Sequence, residues 1–232
     1  MAKSGSATRR SKAKRPRAVA APRASRRAVA ATEPRAGRRA ERRQAILAAA
    51  LREFSARGFA AARLDDVADA AGIAKGTIYL YFRDKEALFQ DLIRSEMSPV
   101  VATLETALTV DLPVRAVAER AVELFVREIC GTSRKDIIRL IISEGPRFPK
   151  LADFYYREVL SRVIAAVRAL LARALERGEL RSDALIRFPQ LLAAPGIVAI
   201  IWNGLFQRHD PLDVRALMRA HLDLLFGQGK AK

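Results

Sequence analysis

From Gly37 onward the apolar residues recur at helical rather than strand spacing. Ile46, Leu47, Ala50, Leu51 and Phe54 share one face of a first helix, which Gly58 is placed to close. Leu64, Val67, Ala68 and Ala71 mark a short second helix, and Ile78 and Phe82 mark a third. Asp84 stands where a side chain caps a fourth helix, with Glu86 in its first turn and Leu88, Phe89, Leu92 and Ile93 as its stripe. Pro113 suits a helix start and leads to Val117, Ala121, Leu124, Phe125 and Val126. Residues 137–144 are apolar nearly all round and stop at Gly145-Pro146. Residues 151–177 read as one long helix ended by Gly178, and 183–206 as another, bent at Pro189 and Pro195. Asp210-Pro211 opens the last helix, whose inner side carries Val214, Leu217, Met218, Leu222, Leu225 and Phe226. No segment alternates with period two and none repeats, so the predicted fold is all-α.

The first 36 residues break this pattern. They are mostly Ala, Arg, Lys, Ser and Pro without an aromatic residue, a composition too poor in apolar surface to offset the entropy of ordering. The predicted organisation is a disordered basic extension over 1–36, a first domain over 37–85, a second over 86–227 and a tail over 228–232. The formal charge of +17 is divided unevenly: residues 1–39 hold 13 Lys or Arg against the single acid Glu33, a net +12, and the remainder holds +5. Such asymmetry suggests a nucleic-acid partner or an anionic surface. The extension reads as a basic arm adding phosphate contacts, as a solubilising leader, or as an organellar transit peptide. Its prolines and arginines leave no continuous apolar stretch for a secretory signal.

Composition narrows the classes further. No apolar run approaches the roughly 18–20 residues of a membrane span, so the chain reads as soluble, without a membrane partner. The single Cys130 permits no internal disulfide and fits a reducing, cytoplasmic location. Cys130 reads as a small buried hydrophobe before it reads as a redox sensor. With only His209 and His221 beside it, neither a metal site nor a cofactor is expected. An enzyme would need a nucleophile with its base, a metal cluster or a phosphate-cradling loop, and none is legible. The pair Asp65-Asp66 is explained by its place at the start of the second helix, where the dipole favours acids.

Residues 64–82 carry the functional signal. Two short helices meet at a turn where Gly72 can take the φ > 0 conformation of a sharp corner. Val67, Ala71, Ile73 and Ile78 can pack that corner, which leaves Lys75, Thr77, Tyr79 and Tyr81 to project outward. A cation, a hydroxyl and two phenols on one short helix suit phosphates and groove edges, and Gly76 permits close approach of the backbone.

Here the chain resembles the TetR (tetracycline-repressor) family of bacterial regulators. The resemblance runs from about Arg39 to Leu88. It comprises Ala45-Ile46-Leu47, Phe54, Gly58-Phe59, Leu64-Asp65-Asp66-Val67-Ala68, Ala71-Gly72, Lys75-Gly76-Thr77-Ile78-Tyr79-Leu80-Tyr81-Phe82 and Lys85-Glu86-Ala87-Leu88. It implies a three-helix, helix-turn-helix DNA-binding head with residues 75–81 as recognition helix, followed by a helical domain for ligand binding and dimerisation. Lys75, Gly76, Thr77, Tyr79, Tyr81 and Lys85 fall where family members contact DNA. Two positions depart from the pattern, Arg63 and Ala74, where the family usually carries a hydroxyl cap. Arg63 can still supply a phosphate contact and is counted with the DNA residues.

Beyond the head the resemblance is weaker and rests on the run from Arg139 to Pro149. It implies dimer-forming helices over 151–177 and 184–206. Ile164, Val167 and Leu171 on the first, and Ile197, Ile200, Ile201 and Leu205 on the second, look too apolar for a solvated exterior. Phe125, Phe148, Phe154, Tyr155 and Trp202 are candidate pocket residues, although filling the core is the simpler account of each. Glu144 either contacts a ligand or pairs with Arg139 or Arg147. Few assignable core positions are charged, which points to an apolar or aromatic effector. The resemblance therefore implies a homodimeric repressor that reads a near-palindromic double-stranded operator and is released by a small molecule, with helix 4 carrying the change. The alternatives are an activator of the same fold, or a sequence-independent DNA-binding protein acting through its basic tail.

Overall fold

The computed structural model describes residues 1–2, 24–180 and 182–227, the segment 24–36 by its backbone alone. It divides into two compact units, Met1–Glu41 and Arg42–Lys232. In the first unit the described backbone is helical from Ala24, where α1 (Ala24–Ala61) begins. The expected disorder of 1–36 otherwise lies outside the described residues, as does the tail at 228–232.

In the second unit the regular part of α1 is broken at Gly58, whose φ of 73° and ψ of 165° suit a residue without Cβ. One further turn reaches Ala61. The helices α2 (Leu64–Ala70) and α3 (Lys75–Ile78) then meet at a corner in which Gly72 has φ +67°. Neither Arg63 nor Ala74 supplies a side-chain cap, as their residue types foretell. The regular helix of α3 is shorter than the expected 75–81. Past Ile78 the chain continues as tight turns, with Leu80 N–H donating to Thr77 O and the Tyr81 and Phe82 N–H groups both to Ile78 O.

Asp84 caps α4 (Lys85–Leu108), its Oδ1 accepting the Ala87 N–H at 2.7 Å. After Pro113 come α5 (Val114–Phe125), a π-helical turn Val126–Cys130, and α6 (Arg134–Glu144). The predicted long helix is α7 (Pro149–Tyr155), a second π-helical turn Tyr156–Leu160 and α8 (Ser161–Glu176) in direct succession, with Gly178 at φ +71° past its end. The span 183–206 is two helices, α9 (Ala184–Arg187) and α10 (Gln190–Phe206), parted at Phe188-Pro189; Pro195 lies inside α10. In α11 (Val214–Phe226) the cap is Asp213, which accepts the Ala216 N–H at 3.1 Å. Asp210, expected at that helix start, instead offers its carbonyl to Trp202 Nε1 at 2.5 Å. Among the described residues there is no strand.

Packing continues across the expected boundary at residue 85. One core gathers Ile46, Leu47, Phe54, Phe59, Val67, Ile78 and Phe82 together with Leu88, Phe89, Leu92, Ile137, Leu151 and Phe154. Every expected core position of the first helix is inside, Ile46 and Ala50 without any exposure. Two smaller cores lie farther along the chain, around Leu108, Leu170 and Leu171, and around Val122, Met218 and Leu222. The Asp84 cap stands where the head passes into α4, and Asp84→Ala is expected to lower stability by about 1 kcal/mol, read as a fall in melting temperature at constant protein concentration.

Candidate nucleic-acid interface

On α3 the inside and outside positions separate cleanly. Ile78 is fully buried, whereas Lys75 and Gly76 are exposed, Tyr79 is 54% exposed, and Thr77 lies half-buried. A Cβ built on Gly76 would meet nothing within 4 Å, so the glycine leaves open space on this face. Tyr81 differs from expectation: it is half-buried and packs against the core, its ring 6.4 Å from that of Phe82. The neighbour that projects in its place is Leu80, 75% exposed. The tightened turn after Ile78 rotates these two side chains away from the positions that a regular helix over 75–81 would give them.

Cations frame this face. Arg63 is exposed at the start of α2; its carbonyl accepts the Val67 N–H, and its side chain has no hydrogen bond or ion pair among the described residues. Lys75 lies 3.7 Å from Asp69 and 3.9 Å from Asp65, at the margin of ion pairing. A cavity of about 360 Å³ is lined by Arg63, Leu64, Asp65, Tyr79, Arg83, Asp84 and Lys85. It brings the start of α2, the end of α3 and the start of α4 together. Arg83 is the residue that motif reasoning missed: its side chain is almost wholly exposed and, among the described residues, pairs only with the adjacent Asp84, at 3.1 Å.

Lys85 is partly committed elsewhere. Its Nζ donates to the carbonyls of Phe59 (2.9 Å) and Ala60 (2.8 Å) and stands 4.8 Å from the centre of the Phe59 ring. An ammonium has three donors, so one N–H remains for a phosphate. Arg57 likewise braces the corner, pairing with Asp66 at 2.9 Å and Glu53 at 3.3 Å.

Of the six residues proposed for a ligand pocket, Phe125, Phe148, Phe154 and Tyr155 belong to or pack against one core, and none of the six lines either cavity. Phe154 and Tyr155 are core residues, and burial pushes the Tyr155 phenol well above its usual range. Phe148 packs edge-on to Phe59 at 5.0 Å. Phe125 lies against the backbone of α10, where a Cβ on Gly196 would come within 2.7 Å of its ring. Trp202 is held by Asp210 and stacks 5.0 Å from Phe206. Glu144 pairs with neither expected arginine: Arg139 pairs with Asp136 and donates to Ile200 O, and Arg147 stands over Phe148. None of the six lines the larger cavity, of about 760 Å³, which is walled by α4, α5 and α11. Its lining includes Thr103, Ala107, Arg120, Leu124, Arg127 and Arg219.

The proposed dimer face needs correction at two positions. Leu171, without exposure, and Ile200, 3% exposed, lie inside the chain's own core and have no surface to give a partner. Val167 and Ile197 pack against these cores, and Ile164 is half-buried. Ile201 and Leu205 do face outward, with Val198, which the apolar pattern did not single out. Cys130 is half-buried, and burial raises its thiol pKa against the opposing pull of Lys135 and Arg139, which disfavours the reactive thiolate.

Comparison with known proteins matches two successive segments of the chain. Residues 46–92 match the sequence profile "Bacterial regulatory proteins, tetR family", and residues 111–225 match "Tetracyclin repressor-like, C-terminal domain". The chain is similar to the HTH-type transcriptional repressor BepR of Brucella suis, 32% identical over 150 residues, 62% of this chain and 71% of that one. Other relatives are matched over 35% to 88% of their lengths. Among solved structures it is similar in fold to the regulator FadR from Bacillus subtilis in complex with stearoyl-CoA. That match has a TM-score of 0.63 and 18% identity, over 80% of this chain and 99% of that one. A regulator from Saccharomonospora viridis in complex with choline gives 0.65 and 20%, over 80% and 95%.

The two kinds of site residue predict different losses. Tyr79→Ala should leave stability within about 0.5 kcal/mol while weakening binding to a specific duplex. Lys85→Ala should cost about 1–2 kcal/mol of stability as well, because two helix-end carbonyls lose their donor. Thermal melts set beside duplex titrations of both variants check this.

Proposed function

Since the chain belongs to the TetR family of bacterial transcriptional regulators, we propose that it is a homodimeric repressor that a small molecule releases from a near-palindromic operator. The observation that carries this reading is the outward face of the helix-turn-helix. Lys75, Gly76 and Tyr79 are presented to solvent while Ile78 between them anchors the helix, and Arg63, Arg83 and Lys85 surround the same face. In this reading Tyr79, Thr77 and Lys75 meet groove edges and the flanking cations meet phosphates. Tyr81 contributes chiefly by packing the recognition segment, and Gly76 lets the backbone come close to the duplex.

A two-fold dimer sets two such faces about 34–36 Å apart, one duplex turn. The surface that supports dimerisation is the outer side of α10, where Leu191, Val198, Ile201 and Leu205 are exposed on a helix without a charged residue. A solvated monomer has no use for such a stripe, and a second copy would cover it. A ligand that prefers another spacing of the heads lowers operator affinity 1,000-fold if its affinities for the two states differ by about 4 kcal/mol.

The effector is best accommodated in the larger cavity. Ala107, Ala116 and Leu124 give it an apolar floor, and its walls mix Arg120, Arg127 and Arg219 with Glu119 and Glu123. Glu123 is already held by Arg215 and Arg219 at 2.9 Å, whereas Arg120 has no carboxylate partner among the described residues. This mixed lining, with Arg120 as its uncommitted cation, suits an amphipathic ligand carrying an anionic group better than the purely apolar ligand suggested by composition. The fold itself does not choose, since similar folds hold stearoyl-CoA and choline.

The deciding experiment is a binding titration against DNA upstream of the protein's own gene, with a scrambled duplex of equal length as control. A strong preference lost on Tyr79→Ala is expected. Equal, steeply salt-dependent binding to both duplexes favours the basic extension as the main contact and sinks the operator reading for that DNA. Separately, Ile201→Glu with Leu205→Glu should yield monomers in sedimentation velocity and reduce operator affinity at least tenfold.

A further inference from the structure

The carboxylate of Glu144 occupies an unusual place. It ends α6, and its Oε2 is buried with no hydrogen-bond partner among the described residues. Its Oε1 reaches the break in α1, so that a Cβ built on Gly58 would lie 2.5 Å from it, closer than real side chains approach. Four residues on, Phe148 sets its ring edge-on against Phe59, with centroids 5.0 Å apart and planes 71° apart. Two neighbouring groups of the α6–α7 corner thus hold two consecutive residues of the head. The corner is itself tight, since the Glu144 carbonyl accepts the N–H groups of both Arg147 and Phe148, at 3.0 and 2.9 Å. On the head's side, Lys85 fixes the carbonyls of the next two residues, Phe59 and Ala60.

Buried polar groups are nearly always paired, so an unpaired carboxylate oxygen calls for an explanation. Arg139 and Arg147, the arginines nearest in sequence, are engaged elsewhere. What Glu144 does have is shape: it fills the room that only a glycine at position 58 leaves. Gly58 is therefore doubly constrained, by its positive φ and by the carboxylate facing it. Because α2 follows Gly58 by six residues, a shift at this corner carries to α2 and α3.

We propose that Glu144 is a positioning residue for DNA binding: its carboxylate against Gly58, with Phe148 against Phe59, sets the helix-turn-helix relative to α6. This rests on the operator-binding reading above and adds to it a route from body to head that does not pass along α4. Any ligand that displaces α6 then moves the head directly.

A double-mutant cycle tests it. Gly58→Ala, Glu144→Ala and the double variant are compared with the full chain for operator affinity, melting temperature and amide exchange over residues 75–82. Backbone strain from alanine at a positive φ is common to both backgrounds, so the difference between them isolates the contact. Glu144→Ala alone should weaken operator binding about threefold. Gly58→Ala should weaken it tenfold or more when Glu144 is present, and threefold or less when residue 144 is alanine. Exchange over 75–82 should quicken in the same order. Additive losses, or a lower melting temperature with operator affinity and exchange unchanged, would overturn the proposal. If Gly58→Ala does not fold, Glu144→Ala alone decides, and unaltered affinity and exchange sink the idea. If the wild-type chain shows no specific duplex, the regulator reading has failed separately, and the exchange data still judge the contact.

Discussion

Burial of Phe59 among Phe54, Phe89 and Phe148 is the contact on which the placement of the head depends. The three partner rings lie 5.3, 5.7 and 5.0 Å away, contributed by α1, α4 and the residue just before α7. Without such packing the head could not persist. α2 has seven residues and α3 four, both lack a side-chain cap, and isolated helices below about 12–15 residues are marginal in water. Val67, Ala68, Ile78 and Phe82 therefore derive their order from the apolar surface of α1 and α4 rather than from helix propensity.

The same dependence explains how charge is distributed. In the body, arginines are structural ties. Arg134 donates to the carbonyls of Glu96 and Glu128 and to the Glu128 carboxylate, joining α4 to the turn before α6. Arg162 grips Glu105 with two hydrogen bonds, joining α8 to α4. Around α3 the cations are less firmly committed: Arg63 has no carboxylate partner among the described residues, and Arg83 and Lys75 pair only at the exposed surface. A family of DNA-binding regulators accounts for this contrast, since a surface that must receive phosphates cannot also spend its cations on internal pairs. Lys85 stands between the two uses: it closes the end of α1 and still borders the exposed face.

α10 shows the opposite economy. It carries no charge, packs Ile200 and Ala199 inward, and turns Val198, Ile201 and Leu205 outward. One helix thus serves the chain's own core and a face suited to a second copy. Arg139 helps fix its rotation by donating to Ile200 O and lying close over Gly204, where a Cβ would meet the guanidinium at 2.9 Å.

Much was legible in the chain as written, and the reason is local. Apolar spacing located the helices, and Gly58, Gly72 and Gly178 each take the positive φ that their places between helices require. Asp84 caps α4, and Arg63 and Ala74 fail to cap α2 and α3, because capping depends on one side chain and the adjacent backbone. The density of the motif over 64–82 sufficed to indicate a helix-turn-helix. What only the tertiary structure decided was which side of a uniformly apolar helix faces inward, because hydrophobicity alone carries no phase when every side is apolar. That is why apolar spacing on α10 points to Ile200 as an interface residue and passes over Val198; on the amphipathic α8, the stripe with Leu171 faces the chain's own core instead of a partner. It also decided that Phe125, Phe148, Phe154 and Tyr155 pack in or against one core instead of lining a cavity, and that Glu144 meets Gly58 from 86 positions away. Contacts between distant segments are set by how whole helices pack, and no local pattern in the chain encodes them.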